Sequence, residues 1–248
     1  MRIVSGWDDS PVAGARVLVD GVQRSTEDDG SLTDVVDLRG RAIDIDARGF
    51  LPRKTRITAE RLTLWPAASE QEVQAIARLV YYRGRLVNLD VRATLRLIRE
   101  VAYNHDAAFG AAVDTINAVM RDRRFAVEGR DPEVDDGAVW TVSVGGAKEC
   151  GGHAFFAPYG LCLPYLWFRG DRDNAIVLLT PDALARPESP LRLLALAHLV
   201  GDNPLPGLLN PSTPEATELT LLEQQVLRML PQRLPCTTFP DDDRDRGC

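Results

Sequence analysis

His198 is the residue of this chain best placed for chemistry. It sits in LLALAHLVGDNPLPGLLNP, residues 193–211, with Gly201 three residues on and Pro204 six residues on. A histidine on an apolar segment before a glycine turn is a way to present an imidazole to zinc. A catalytic zinc takes about three protein ligands, and hydrolysis wants a carboxylate beside it to receive the proton of the attacking water. Here Leu194 stands one helical turn before His198, Ala195 follows it, and Leu209 lies in the next turn. None of these side chains carries a donor. The other histidines are His105 and His153; a three-histidine site gathered from distant segments is the alternative that would keep a metal. Asp202 lies four residues past His198. No G-x-S-x-G elbow is present, and GAKECGG lacks the Gly-Lys-Ser/Thr ending of a phosphate loop.

The register of this segment resembles the zinc motif of the metzincin endopeptidases, H-E-x-x-H-x-x-G-x-x-H followed by a Met-turn. With His198 as the second histidine, Gly201 falls on the motif glycine and GLLNP, residues 207–211, falls on the Met-turn. Leu194 then replaces the first histidine, Ala195 the glutamate, Pro204 the third histidine and Leu209 the methionine. AAVDTINAVMRDRRFAVEG looks like the first long helix and following strand of that fold, and LTLLEQQVLRML like its last helix. The resemblance covers roughly residues 80–235. It implies a protease fold without protease chemistry: no catalytic residue, no metal and no cofactor, with zinc only if a relocated site exists.

Composition narrows the partners. The 248 residues carry a formal net charge of −7, with 45% hydrophobic and 26% charged residues, so no basic field draws in nucleic acid. Only Lys54 and Lys148 are lysines, which reads as GC-rich bacterial codon usage. No run approaches the roughly 20 apolar residues of a membrane span, and MRIVSGWDDSP lacks the charged and apolar regions of a secretory signal. Of Cys150, Cys162, Cys236 and Cys248, the first two bracket CGGHAFFAPYGLC. That spacing suits a local disulfide, and with it an oxidising compartment; a reduced pair is the alternative. His153, Phe155, Phe156 and Tyr159 in the same segment are the candidate binding surface, with core packing as the competing role.

Residues 1–67 read as all-β. Ala15, Val17 and Val19 alternate, Ile43 and Ile45 share a face, and TRIT and RLTLWP add short strands. PVAGARVLVDG, TEDDGSLT and IDARGFLPRKTRI in that order resemble the carboxypeptidase-regulatory-like, or transthyretin-like, β-sandwich of bacterial envelope proteins. Gly14 is read as the turn into a strand and Asp29-Gly30 as the hairpin turn. Glu27, Asp28 and Asp29 read as a solvated turn rather than a calcium cage, which needs six or more oxygens.

Residues 68–240 read as α+β. Ser69 caps a helix over SEQEVQAIARLV; Phe109, Val113, Ile116 and Met120 mark an amphipathic helix. RRFAVEG, AVWTVSVGG, GLCLPYLWFRG and NAIVLLT read as strands, and helices are expected near 190–200 and 214–230. Residues 241–248 read as a solvated acidic tail. The expectation is a multidomain chain: a transthyretin-like sandwich, then a degenerate metzincin-like (zincin) domain. It would be a pseudoenzyme outside the cytoplasm that binds or scaffolds, gripping a peptide or protein segment along the former substrate cleft. The alternatives are a peptidase with a relocated metal site, or adhesive or glycan binding by the sandwich.

Overall fold

The alternating segments near the N-terminus become strands because each has one apolar face to bury. In the computed structural model β1 (Arg2–Ser5), β2 (Arg16–Val19), β3 (Val22–Ser25), β4 (Ala42–Asp46), β5 (Arg53–Arg56) and β6 (Arg61–Leu64) form two sheets. One is antiparallel with the order β3-β2-β4-β5, and the other is the parallel pair β1-β6. Val17, Val19, Ile43 and Ile45 from the first sheet and Ile3, Leu62 and Leu64 from the second share one buried cluster. Each such side chain contributes about 1.5–3 kcal/mol by leaving water. The structure describes the chain apart from residues 34–38, 83–84, 87–90, 135–137, 147, 150–153, 157–158, 164–173, 200, 202, 214, 234–236, 240, 243 and 245–248, and apart from the side chains of 82, 85, 154–156, 163 and 174.

The hairpin turn lies elsewhere than expected. β2 and β3 are joined by Asp20-Gly21, whose φ values of 49° and 81° fit the two-residue turn that matches strand twist. Asp29-Gly30 closes a separate turn in which the Gly30 amide donates to the Glu27 carbonyl at 2.9 Å. Gly30 has φ 78°, and a Cβ there would stand 2.4 Å from the Ile3 carbonyl oxygen, so only glycine fits.

Contacts divide the chain into residues 1–88 with 228–248, and residues 89–227. The first unit therefore extends past the expected boundary at 67. It includes α1 (Glu70–Val80), which starts as the sequence predicts: the Glu72 amide donates to Ser69 Oγ at 3.2 Å, and the Glu72 carboxylate accepts from the Ala68 amide. Short β7 (Tyr81–Tyr82) and β8 (Arg85–Leu86) follow.

The unit also takes back the end of the chain. The Leu86 amide donates to the Thr237 carbonyl at 2.7 Å and the Lys54 amide to the Asp241 carbonyl at 3.0 Å. Asp241, read as part of a solvated tail, is instead buried against Arg233 at 3.2 Å, both side chains being at most 1% exposed. Burial pulls the Arg233 pKa down to about 10, against the opposing pull of the Asp241 charge.

The second unit contains β9 (Ala93–Leu97), α2 (Arg99–Met120), β10 (Phe125–Val127), β11 (Val139–Val144), β12 (Ala154–Phe156), β13 (Leu161–Leu163) and β14 (Asn174–Leu179). Three helices close it: α3 (Pro181–Leu184), α4 (Ser189–Leu196) and α5 (Leu221–Met229), the last running two residues past the contact boundary. The sheet order is β10-β9-β11-β14-β13-β12; the first four strands are parallel, and β13 and β12 run antiparallel to their inner neighbours.

Phe109, Val113, Ile116 and Met120 are buried as their spacing requires. The α2–β10 connection is fixed by Asn117, whose Oδ1 accepts from the Arg124 and Phe125 amides at 2.8 and 3.0 Å while its Nδ2 donates to the Phe125 carbonyl at 2.8 Å. The whole is a mixed α/β protein, strand-rich first and α+β later. No helix among the described residues is long and apolar enough to cross a membrane.

Candidate functional site

Helix α4 delivers the segment around His198, and it ends sooner than the motif needs. Its last helical residue is Leu196, with Ala197 as C-cap. The His198 amide then donates to the Ala195 carbonyl at 3.1 Å and the Leu199 amide to Leu196 at 3.2 Å, three-residue closures that tighten the last turn. His198 thus stands in a turn rather than on the helix with Leu194.

Leu194, Ala195, His198 and Leu209 are all at 0% exposure. The imidazole meets the Phe125 ring edge-on, centroids 5.5 Å apart. Gly201 is half-buried and Pro204 exposed, while Asp202 lies outside the described residues. The described residues around His198 do not supply a zinc ligand set: Leu194 and Ala195 carry no donor atom, and a catalytic zinc takes about three protein ligands. Among the described residues no three His, Cys, Asp or Glu side chains gather as a metal-holding group. His105 lies on α2 and His153 outside the described residues.

What organises the segment is a buried polar hub that the sequence reading missed. Glu223, fully buried, accepts from Asn203 Nδ2 at 2.9 Å and from the Leu209 amide at 2.8 Å through Oε1. Its Oε2 accepts from the Thr220 amide at 2.8 Å, and Thr220 Oγ1 accepts from the Glu223 amide at 3.3 Å. Thr220-x-x-Glu223 is a capping box, so α5 begins at Leu221 and not near 214 as expected. The Asn203 amide donates back to the Leu209 carbonyl at 2.9 Å, closing the turn on itself. Gly207 has a reason to be glycine: a Cβ would stand 2.7 Å from Glu223 Oε1.

Arg192 holds the other side. Buried within α4, it donates from Nε to the Leu208 carbonyl at 2.8 Å, from Nη1 to Glu188 at 3.2 Å and from Nη2 to the Ala216 carbonyl at 3.3 Å. Burial lowers its pKa from the usual guanidinium value, with the Glu188 charge opposing. Its guanidinium lies 4.8 Å from the Tyr159 ring centroid. Tyr159, a candidate for the binding surface, is therefore a core residue, 1% exposed. His153 and the side chains of Phe155 and Phe156 lie outside the described residues; the backbone of the two phenylalanines belongs to β12.

The expected Cys150–Cys162 disulfide needs correcting: among the described residues no Sγ–Sγ pair stands at bonding distance. Cys162 is buried, and Cys150, Cys236 and Cys248 lie outside the described residues. The pairing, and the oxidising compartment inferred from it, are not carried further.

No family model, curated protein or solved structure matches the chain. The two resemblances stand on their residues alone. What the geometry adds is that buried apolar side chains surround His198 and that the turn after it is tied to an internal carboxylate through the Leu209 amide and the Asn203 side chain.

Proposed function

We propose that the second unit is a hydrolase-like framework without hydrolytic chemistry, and that the protein works as a binding or scaffold module. The complete burial of Leu194, Ala195 and His198 carries this reading, because apolar side chains at the first two motif positions offer neither a metal ligand nor a base to an attacking water. The internal use of Glu223 supports it: two accepted hydrogen bonds commit that carboxylate to the turn and a third to the start of α5. The partner is an extended peptide that adds to β12, the last strand of the sheet beside the aromatic segment. The protein works outside the cytoplasm, which rests on the envelope-type sandwich resemblance of residues 1–67.

The test is a fluorogenic peptide library presented to the whole chain with and without a chelator. The reading expects no turnover above buffer in either arm. Cleavage abolished by chelator and by His198→Ala would establish the rival, an active peptidase with a relocated metal site.

A further inference from the structure

The free edge of the four-stranded sheet at β5 is occupied by the protein's own last residues. Besides the bond from the Lys54 amide to the Asp241 carbonyl, Lys54 bridges Asp242 in parallel register. The arriving segment is closed on itself: the Thr238 and Asp242 amides each donate to the other's carbonyl at 2.8 Å. It is a compact turn, folded through its own bonds, and it offers Phe239 and Asp241 to the rest of the unit.

The groups that receive the turn come from separate stretches of chain. Arg233 Nε donates to both oxygens of the Asp241 carboxylate at 3.2 Å. Thr63 fixes Arg233 in turn, its Oγ1 accepting from Nη1 at 2.8 Å and its carbonyl from Nη2 at 3.1 Å. Arg53, 7% exposed, donates to the same carbonyl at 2.7 Å, so two buried guanidiniums converge beside the seat of Asp241. Phe239 meets the Tyr81 ring edge-on, centroids 5.2 Å apart, and Arg244 ties the far end to Asp44 at 2.7 Å.

A buried ion pair is a poor way to stabilise a fold, because desolvation offsets the attraction; its best-attested use is to fix a register or serve a switch. Backbone pairing to a sheet edge, a ring on a ring and a carboxylate on a buried guanidinium are the means by which a protein recognises an acidic peptide. Here a segment of the same chain makes all three. We propose that the β5 edge with Arg233, Arg53 and Tyr81 is a binding site for an acidic peptide turn of the pattern aromatic-x-Asp, and that residues 237–244 occupy it as an intramolecular competitor. The site lies in the first unit and rests neither on His198 nor on β12, so the failure of either reading leaves the other standing.

The experiment uses the full chain and a capped synthetic peptide of residues 237–244, TTFPDDDR, at up to about 1 mM, read by amide chemical shifts. Asp241→Asn removes the charge that seats the tail and leaves the receiving groups in place. In that variant the peptide should move the Lys54 and Leu86 amides saturably. A peptide with asparagine for its first aspartate should bind about tenfold more weakly or worse. The native chain should show no binding, because its tethered tail competes at an effective concentration of about 1 mM or more. Phe239→Ala, which loosens the tail through the ring contact alone, is the second variant should the first not fold. No saturable shift in the folded variants, equal affinity for the two peptides, or native chain binding as tightly as the variants would each overturn the proposal.

Discussion

Glu223→Ala removes one carboxylate and strands three donors at once: Asn203 Nδ2, the Leu209 amide and the Thr220 amide, each within 2.9 Å of an oxygen in the native chain. A buried donor left unsatisfied costs about 1–3 kcal/mol. Water entering the vacated space recovers part of the sum, so the expected loss is about 3–5 kcal/mol. For a chain of this size that lowers the melting temperature by roughly 2–4 °C per kcal/mol. Glu223→Gln keeps one oxygen, which can continue to serve Asn203 and Leu209, and turns an NH2 toward the Thr220 amide; its cost is about 1–3 kcal/mol. Urea denaturation gives the energies, and hydrogen exchange at Leu209 gives the location, because its amide loses protection first if the turn opens locally. A loss under about 0.5 kcal/mol for Glu223→Ala, or unchanged Leu209 protection, would refute the hub.

Arg192→Ala leaves Glu188 buried without its guanidinium and removes donors from the Leu208 and Ala216 carbonyls; a loss of about 3–5 kcal/mol is expected by denaturation. Gly30→Ala combines φ 78° with a Cβ 2.4 Å from the Ile3 carbonyl, and should cost about 1–3 kcal/mol, read as a lower urea midpoint. Hydrogen bonds from Ser31, then the Arg2 guanidinium, hold the Asp29 carboxyl down at about 2. A depressed carboxylate stabilises above its unfolded pKa and stops doing so as pH falls through the folded value, so carbon-13 titration should place Asp29 at about 2, and Ser31→Ala should move it up toward the ordinary carboxylate range.

The sequence discloses what is local and periodic. Val17, Ile43 and Phe109 announce their burial by spacing, and Ser69 with Glu72 announces a helix start, because those patterns are set by residues one turn or one pleat apart. It does not choose between Asp20-Gly21 and Asp29-Gly30 as the hairpin, since both have the same turn chemistry and strand pairing decides. Nor does it show that residues 228–248 return to the first unit, because Arg233 and Asp241 meet Thr63 and Lys54 across some 170 to 190 positions. At the candidate site the spacing of Leu194 and His198 reads as one helical face, but the helix stops at Leu196. Glu223 was legible as the fourth residue of Thr220-x-x-Glu223; its second role, accepting from Leu209 and Asn203, is tertiary and leaves no local trace.

Zinc content measured by mass spectrometry, on full chain purified from zinc-supplemented medium without chelator, tests the central claim most directly. A buried imidazole with leucine and alanine at the flanking motif positions should leave the protein with well under one equivalent, unchanged by His198→Ala. One tightly held equivalent per chain, lost in His198→Ala, would contradict it.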